Sequence, residues 1–121
     1  MKYLVCDDSK MARKMLIKDL KNLLGEEIEV FEATNGLEAL KLYEEVSPFI
    51  TFMDLTMPEM NGFDAVEKIC KEDKNAKIIV VSADIQEASK AKAKENGALG
   101  FIKKPINEEN LKQILLKLKV L

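Results

Sequence analysis

Five short apolar runs, at 3–6, 28–33, 49–53, 78–81 and 99–102, recur along the chain with room for one helix after each. Each is rich in Val, Ile, Phe or Leu and too short for a helix. This is the pattern of strands buried on both faces, as in a parallel sheet. The stretches between them have helical spacing. In the first, Met11, Met15, Leu16, Leu20, Leu23 and Leu24 share a face and Gly25 follows as a stop. The second carries Leu37, Leu40, Leu42 and Tyr43 and ends before Pro48. The third, 63–72, groups Phe63, Val66, Ile69 and Cys70.

The fourth helix is expected over 85–96, where the apolar content is mostly Ala88, Ala91 and Ala93. Its propensity is good but its buried surface is small. The fifth opens at Asn107 as N-cap, with Glu108 and Glu109 in its first turn and Leu111, Ile114, Leu115 and Leu118 as its core stripe. Strict strand–helix alternation predicts one α/β domain over 1–121. Its architecture is a doubly wound (βα)5 parallel sheet with right-handed crossovers and helices on both faces.

Composition removes several function classes. The net charge of -2, with Lys and Arg spread along the chain, offers no basic stripe for a nucleic-acid backbone. Histidine is absent, which excludes a histidine-based triad and histidine-ligated metals. Cys6 and Cys70 form no C-x-x-C pair and read as small buried hydrophobes of a reducing cytoplasm. No segment has the length and apolarity to insert into a membrane, and the start is too short an apolar run for a signal peptide.

In open parallel sheets the functional crevice lies beyond the carboxyl ends of the strands, where the strand order reverses. The residues there are informative. Asp7-Asp8 follow the first run, Asp54 the third, Ser82 the fourth and Lys103-Lys104-Pro105 the fifth, whereas the second is followed by Thr34-Asn35-Gly36. An order of 2-1-3-4-5 makes the second strand an edge and brings the other four ends together. Taken singly, Asp-Asp-Ser is also a helix-capping pattern and Lys-Pro a solvated turn. Taken together, three acids on one rim raise one another's pKa and call for a cation. Hard oxygen ligands without histidine or cysteine indicate Mg2+. A carboxylate, a cation, a hydroxyl and an ammonium are the parts needed for phosphoryl transfer to aspartate.

These residues resemble a known family. "VCDDS" at 5–9, "MDLTMPEMNG" at 53–62, "VSA" at 81–83 and "GFIKKP" at 100–105 are similar to the motifs of receiver domains of two-component response regulators, close to the stand-alone chemotaxis type. The likeness covers essentially the whole chain. It implies a flavodoxin-like fold and a phosphorylation-activated switch rather than a metabolic enzyme, one that catalyses only its own phosphorylation and dephosphorylation.

By this likeness Asp54 is the phosphoacceptor, charged by a sensor histidine kinase or a phosphotransferase. Asp8 is the direct carboxylate ligand of Mg2+ and Asp7 acts largely through water. Asp54 and the Thr56 backbone carbonyl complete the protein ligands. Lys104 is the active-site lysine, before a cis peptide bond to Pro105, and Lys103 is a neighbour pointing elsewhere. Ser82 and Phe101 are the switch pair, at positions where Thr and Tyr are frequent in the family. The implied partners are a downstream protein, such as a flagellar motor switch component, and a phosphatase.

Two other readings share the pattern: a phosphorelay intermediate, and a pseudo-receiver scaffold that the complete residue set opposes. A haloacid dehalogenase-type phosphatase requires a second Asp at position 56, which is Thr. Met57, Met60 and Phe63 are expected to serve loop packing and helix core rather than a partner patch.

Overall fold

The computed structural model describes every residue except Pro58, Asp84 and Ile85. The order is β1 (Lys2–Cys6), α1 (Lys10–Leu24), β2 (Glu29–Ala33), α2 (Gly36–Val46), β3 (Ile50–Asp54), α3 (Gly62–Glu72), β4 (Ile78–Ser82), α4 (Glu87–Glu95), β5 (Gly100–Lys103) and α5 (Glu108–Lys117). Pro58 of the 53–62 motif and the expected start of the fourth helix at Ile85 lie outside the described residues. All strand pairs are parallel, as the alternation predicts, and the sheet order is β2-β1-β3-β4-β5, that of the flavodoxin-like fold the resemblance implies.

Alternate residues of each central strand feed opposite faces of the sheet. Leu4, Cys6, Met53, Ile78 and Val80 pack under α2, α3 and α4 with Ala39, Val66, Ile69 and Ala93. Tyr3, Val5, Ile50, Phe52, Ile79 and Val81 pack under α1 and α5 with Leu16, Leu20, Leu111 and Leu115. Each such Val, Leu, Ile, Phe or Met side chain contributes about 1.5–3 kcal/mol on burial, before the opposing loss of entropy.

The helices start where short polar side chains cap them. Ser9, Asn35, Asn61 and Asn107 each accept from the backbone N–H three residues on. Gly25, at φ 106, closes α1 with its N–H on the Lys21 carbonyl, a conformation glycine adopts at no steric cost.

Several sequence expectations are corrected. β3 and β4 are buried throughout, but β2 and β5 are partly exposed, because they are the two edges of the sheet and each lacks a neighbour on one side. In α1, Met11 and Met15 are exposed, while Leu16 and Leu20 carry the packing. The two methionines line a cavity of about 350 Å³ between α1 and the 104–106 segment, so they face space that helical periodicity alone assigns to core. Leu37 also is exposed, and α2 buries Gly36 and Ala39 instead. Cys70 is half-buried rather than buried, whereas Cys6 is fully enclosed. In α4, Ala88 and Ala91 face solvent and Ala93 is buried, so this helix is held by less apolar surface than its neighbours. No helix among the described residues is long and apolar enough to cross a membrane.

Candidate functional site

Four strand ends deliver their polar residues to one rim. β1 runs into Asp7 and Asp8 immediately before α1, and β3 ends on Asp54. β4 ends on Ser82, and Lys104 follows β5. Pairing of Asp54 with Val81 and of Ser82 with Lys103 places the last two ends side by side, and the Lys104 N–H donates to the Ser82 carbonyl at 2.8 Å. Asp7, Asp54 and Ser82 are 6%, 5% and 3% exposed, whereas Asp8 is open to solvent. Buried polar side chains at a sheet end need partners, since desolvation without them costs a few kcal/mol each.

Asp7 is tied down from every side. Its N–H donates to the Ala33 carbonyl at 3.0 Å, and its Oδ1 accepts from the Ser9 N–H at 2.9 Å. Its Oδ2 accepts from Lys104 Nζ at 2.7 Å. The same ammonium stands 3.6 Å from Asp54 Oδ2, so Lys104 bridges the two buried acids and is closer to Asp7. The Lys104–Pro105 peptide is cis, as the resemblance implies, and Lys103 is exposed. Thr56 is exposed, with its N–H 3.5 Å from Asp54 Oδ1.

Oxygen atoms of Asp7, Asp8 and Asp54 lie within 4.8 Å of one another. Burial, followed by the charges of Asp7 and Asp8, pushes the Asp54 carboxyl up to about 6 against the opposing pull of Lys104 and the Thr56 N–H. Burial alone draws Lys104 down, but its hydrogen bond to Asp7 and the charges of both acids outweigh this and hold it above the usual lysine value. One ammonium therefore does not neutralise the cluster. Three converging carboxylates with unspent negative charge, one of them open to solvent, fit Mg2+ as a hard, oxygen-seeking cation.

The loop from β3 to α3 is pinned at both ends. The Gly62 N–H donates to the Leu55 carbonyl at 3.0 Å, and a Cβ on Gly62 would collide with the Asp54 carbonyl oxygen. The Gly36 N–H donates to the Met60 carbonyl at 3.0 Å, where a Cβ would strike that same oxygen. Met57 is buried in the core, with Met60 and Phe63 packed against it, the packing role expected from their spacing. Phe101 lies apart from the acids, half-buried against the α2–α4 face, with Lys90 Nζ 5.6 Å from its ring centroid.

Arg13 escapes a motif search. Its Nη1 donates to the Asp7 carbonyl at 2.8 Å and its Nε pairs with Glu32 Oε1 at 2.9 Å. The available signal is its place one turn past the Ser9 cap, since helical side chains lean toward the helix N-terminus.

Residues 3–116 match the family model described as response regulator receiver domain. The chain is 46% identical over 116 residues to chemotaxis protein CheY of Thermotoga maritima, covering 96% of this chain and 95% of that one. It is 39% identical over 116 residues to chemotaxis protein CheY of Bacillus subtilis, with the same shares. Among solved structures, the CheX–CheY–BeF3–Mg complex of Borrelia burgdorferi contains a chain that superposes with a TM-score of 0.92 at 30% identity, covering 100% of this chain and 90% of that one. With family model, full-length relatives and fold in agreement, the chain belongs to the response regulator receiver domain family and is a phosphorylation-dependent switch of the chemotaxis type.

Proposed function

We propose that Asp54 is the phosphoacceptor of this switch and that Asp7, Asp8, Ser82 and Lys104 serve its chemistry. The observation that carries the reading is the meeting of Asp7, Asp8 and Asp54 oxygens within 4.8 Å, with Lys104 bridging the two buried acids. Asp54 supplies the carboxylate oxygen that bonds to phosphorus as the bond from phosphorus to the donor's histidine nitrogen breaks. Its burial strips water from the nucleophile, while the exposed Asp8 side leaves the approach open. Asp8 directly, Asp7 largely through water, Asp54 and the Thr56 carbonyl would hold Mg2+. When bound, that ion supplies positive charge to the phosphoryl oxygens.

Lys104 stabilises charge on the phosphoryl group once it shifts from Asp7, and the Ser82 hydroxyl donates to a second phosphoryl oxygen. Phosphorylation adds close to two negative charges and three acceptor oxygens at the rim. Drawing Ser82 inward frees space along β4 for Phe101, which alters the surface of α4, β5 and α5. α4 is the natural mobile part, since few buried apolar contacts place an element at the low-stability end.

The chain is in this reading a cytoplasmic protein charged by a sensor histidine kinase or phosphotransferase. It is read by a downstream protein such as a flagellar motor switch component and reset by a phosphatase as well as by its own slow hydrolysis. The relative in the CheX–CheY complex supports the existence of such a partner surface. The test is incubation with acetyl phosphate and Mg2+ followed by mass spectrometry. One added phosphoryl group, absent in Asp54→Asn, is the expected result; a full-strength adduct on that variant overturns the assignment.

A further inference from the structure

We propose that Arg13 and Glu32 act as a positioning pair for the cation ligands, so that the outer edge of the sheet sets how tightly the rim holds a divalent cation. This rests on the reading of the rim as a phosphoacceptor site with Mg2+.

The Asp7 carbonyl that accepts from Arg13 belongs to the peptide joining Asp7 to Asp8. That peptide is planar, so fixing its oxygen fixes the plane from which the Asp8 side chain departs. The other attachments of Asp7 hold its own N–H and carboxylate, through Ala33, Ser9 and Lys104. Arg13 is the side chain that orients the link onward to the solvent-exposed acid.

Arginine suits the task because its planar fork serves two acceptors at fixed angles, which a lysine ammonium on a flexible stem does not. The Arg13 side chain is 11% exposed, and its second contact is Glu32 on β2, opposite Val5 of β1. Glu32 is 45% exposed, so its ion pair adds little stability and its value is directional. The charges that move Asp54 are those of Asp7, Lys104 and Asp8, which leaves Arg13 to act through position.

The experiment is a Mg2+ titration of the intact chain, followed by amide chemical shifts below the unfolding transition. It is paired with amide exchange of Asp8 and Ser9 in metal-free protein. Arg13→Met should weaken Mg2+ binding by about tenfold, the size expected when a partner one shell beyond the ligands is lost, and should speed exchange at both amides. Glu32→Gln, which keeps an acceptor, should lose less, and Arg13→Lys should recover part of the affinity. A purely structural role for Arg13 predicts a lower urea midpoint with unchanged affinity in the folded protein, and that result overturns the proposal. If Arg13→Met does not fold, Arg13→Lys and Glu32→Ala decide the matter by the same readouts. Asp8→Ala separates the two levels. Retained binding in that variant removes the site itself. Lost binding there, together with full binding in Arg13→Met, removes only the positioning pair.

Discussion

Asp54 and Asp73 flank the same helix and are pushed in opposite directions. Asp54, before α3 at the carboxyl rim, is raised to about 6 by burial and by Asp7 and Asp8. Asp73, capping the far end of α3, is held below the usual carboxylate range by the Tyr43 hydroxyl at 2.7 Å and the Asn75 N–H at 2.9 Å. Around Asp73 the amino end of the sheet is cohesive. Lys77 Nζ stands 5.0 Å from the Phe49 ring centroid, and Tyr3 meets Phe49 edge-on at 6.3 Å. One end of the molecule is tied together by favourable contacts, while the other holds like charges close to one another.

The pH signs differ accordingly. A raised folded-state pKa means that Asp54 costs the native state nothing below about pH 4. Its penalty grows as pH rises through about 6. A lowered one means that Asp73 contributes stability above its unfolded value, lost as pH falls through its folded value.

Three variants break or sharpen this contrast. The largest effect is expected for Lys104→Met, which leaves Asp7 and Asp54 buried without their shared cation. A loss of about 2–3 kcal/mol at pH 7, below that of a fully buried pair because Lys104 keeps some solvent contact, should appear in urea denaturation. It should shrink as pH drops below about 6, where Asp54 takes up a proton. A neutral outcome would mean that the rim stores no repulsion.

Next comes Asp54→Asn, which removes one of the repelling charges. A gain of about 1–2 kcal/mol is expected above pH 6, after allowance for screening at the rim, fading to none below about pH 4. A gain that does not depend on pH would point to packing rather than charge. The smallest effect belongs to Asp73→Asn, which should lower the melting temperature at pH 7 and converge on the parent as pH falls through the folded-state value of Asp73. A change of the same sign as in Asp54→Asn would erase the contrast between the two ends.

Much of this was legible in the sequence for a physical reason. Fully buried strands need continuous apolar runs, and chemistry at a sheet end needs polar residues one step beyond them. Looking one or two positions past 3–6, 49–53, 78–81 and 99–102 reaches Asp7, Asp8, Asp54, Ser82 and the Lys103-Lys104 pair, and the family resemblance singles out Lys104. What failed was finer in grain. Helical periodicity identifies an apolar stripe but not whether a cavity faces it, so it places Met11 and Met15 in the core although both are exposed. Edge and central strands share the same propensities, which hides the exposure of β2 and β5. Arg13 and Glu32 lie nineteen positions apart and meet only because β2 pairs beside β1. No local pattern encodes that contact.

The two glycines that pin the β3–α3 loop bear on how freely such a chain can vary. Neither Gly36 nor Gly62 carries a group that reacts, yet each sits where the backbone of the loop leaves no room for a methyl. In a saturation library screened for phosphoryl acceptance, both positions should come back almost as depleted as Asp54 itself. The exposed faces of α4, by contrast, should accept most residues that keep the helix. Mutational intolerance would then trace the outline of a loop rather than a list of reacting groups.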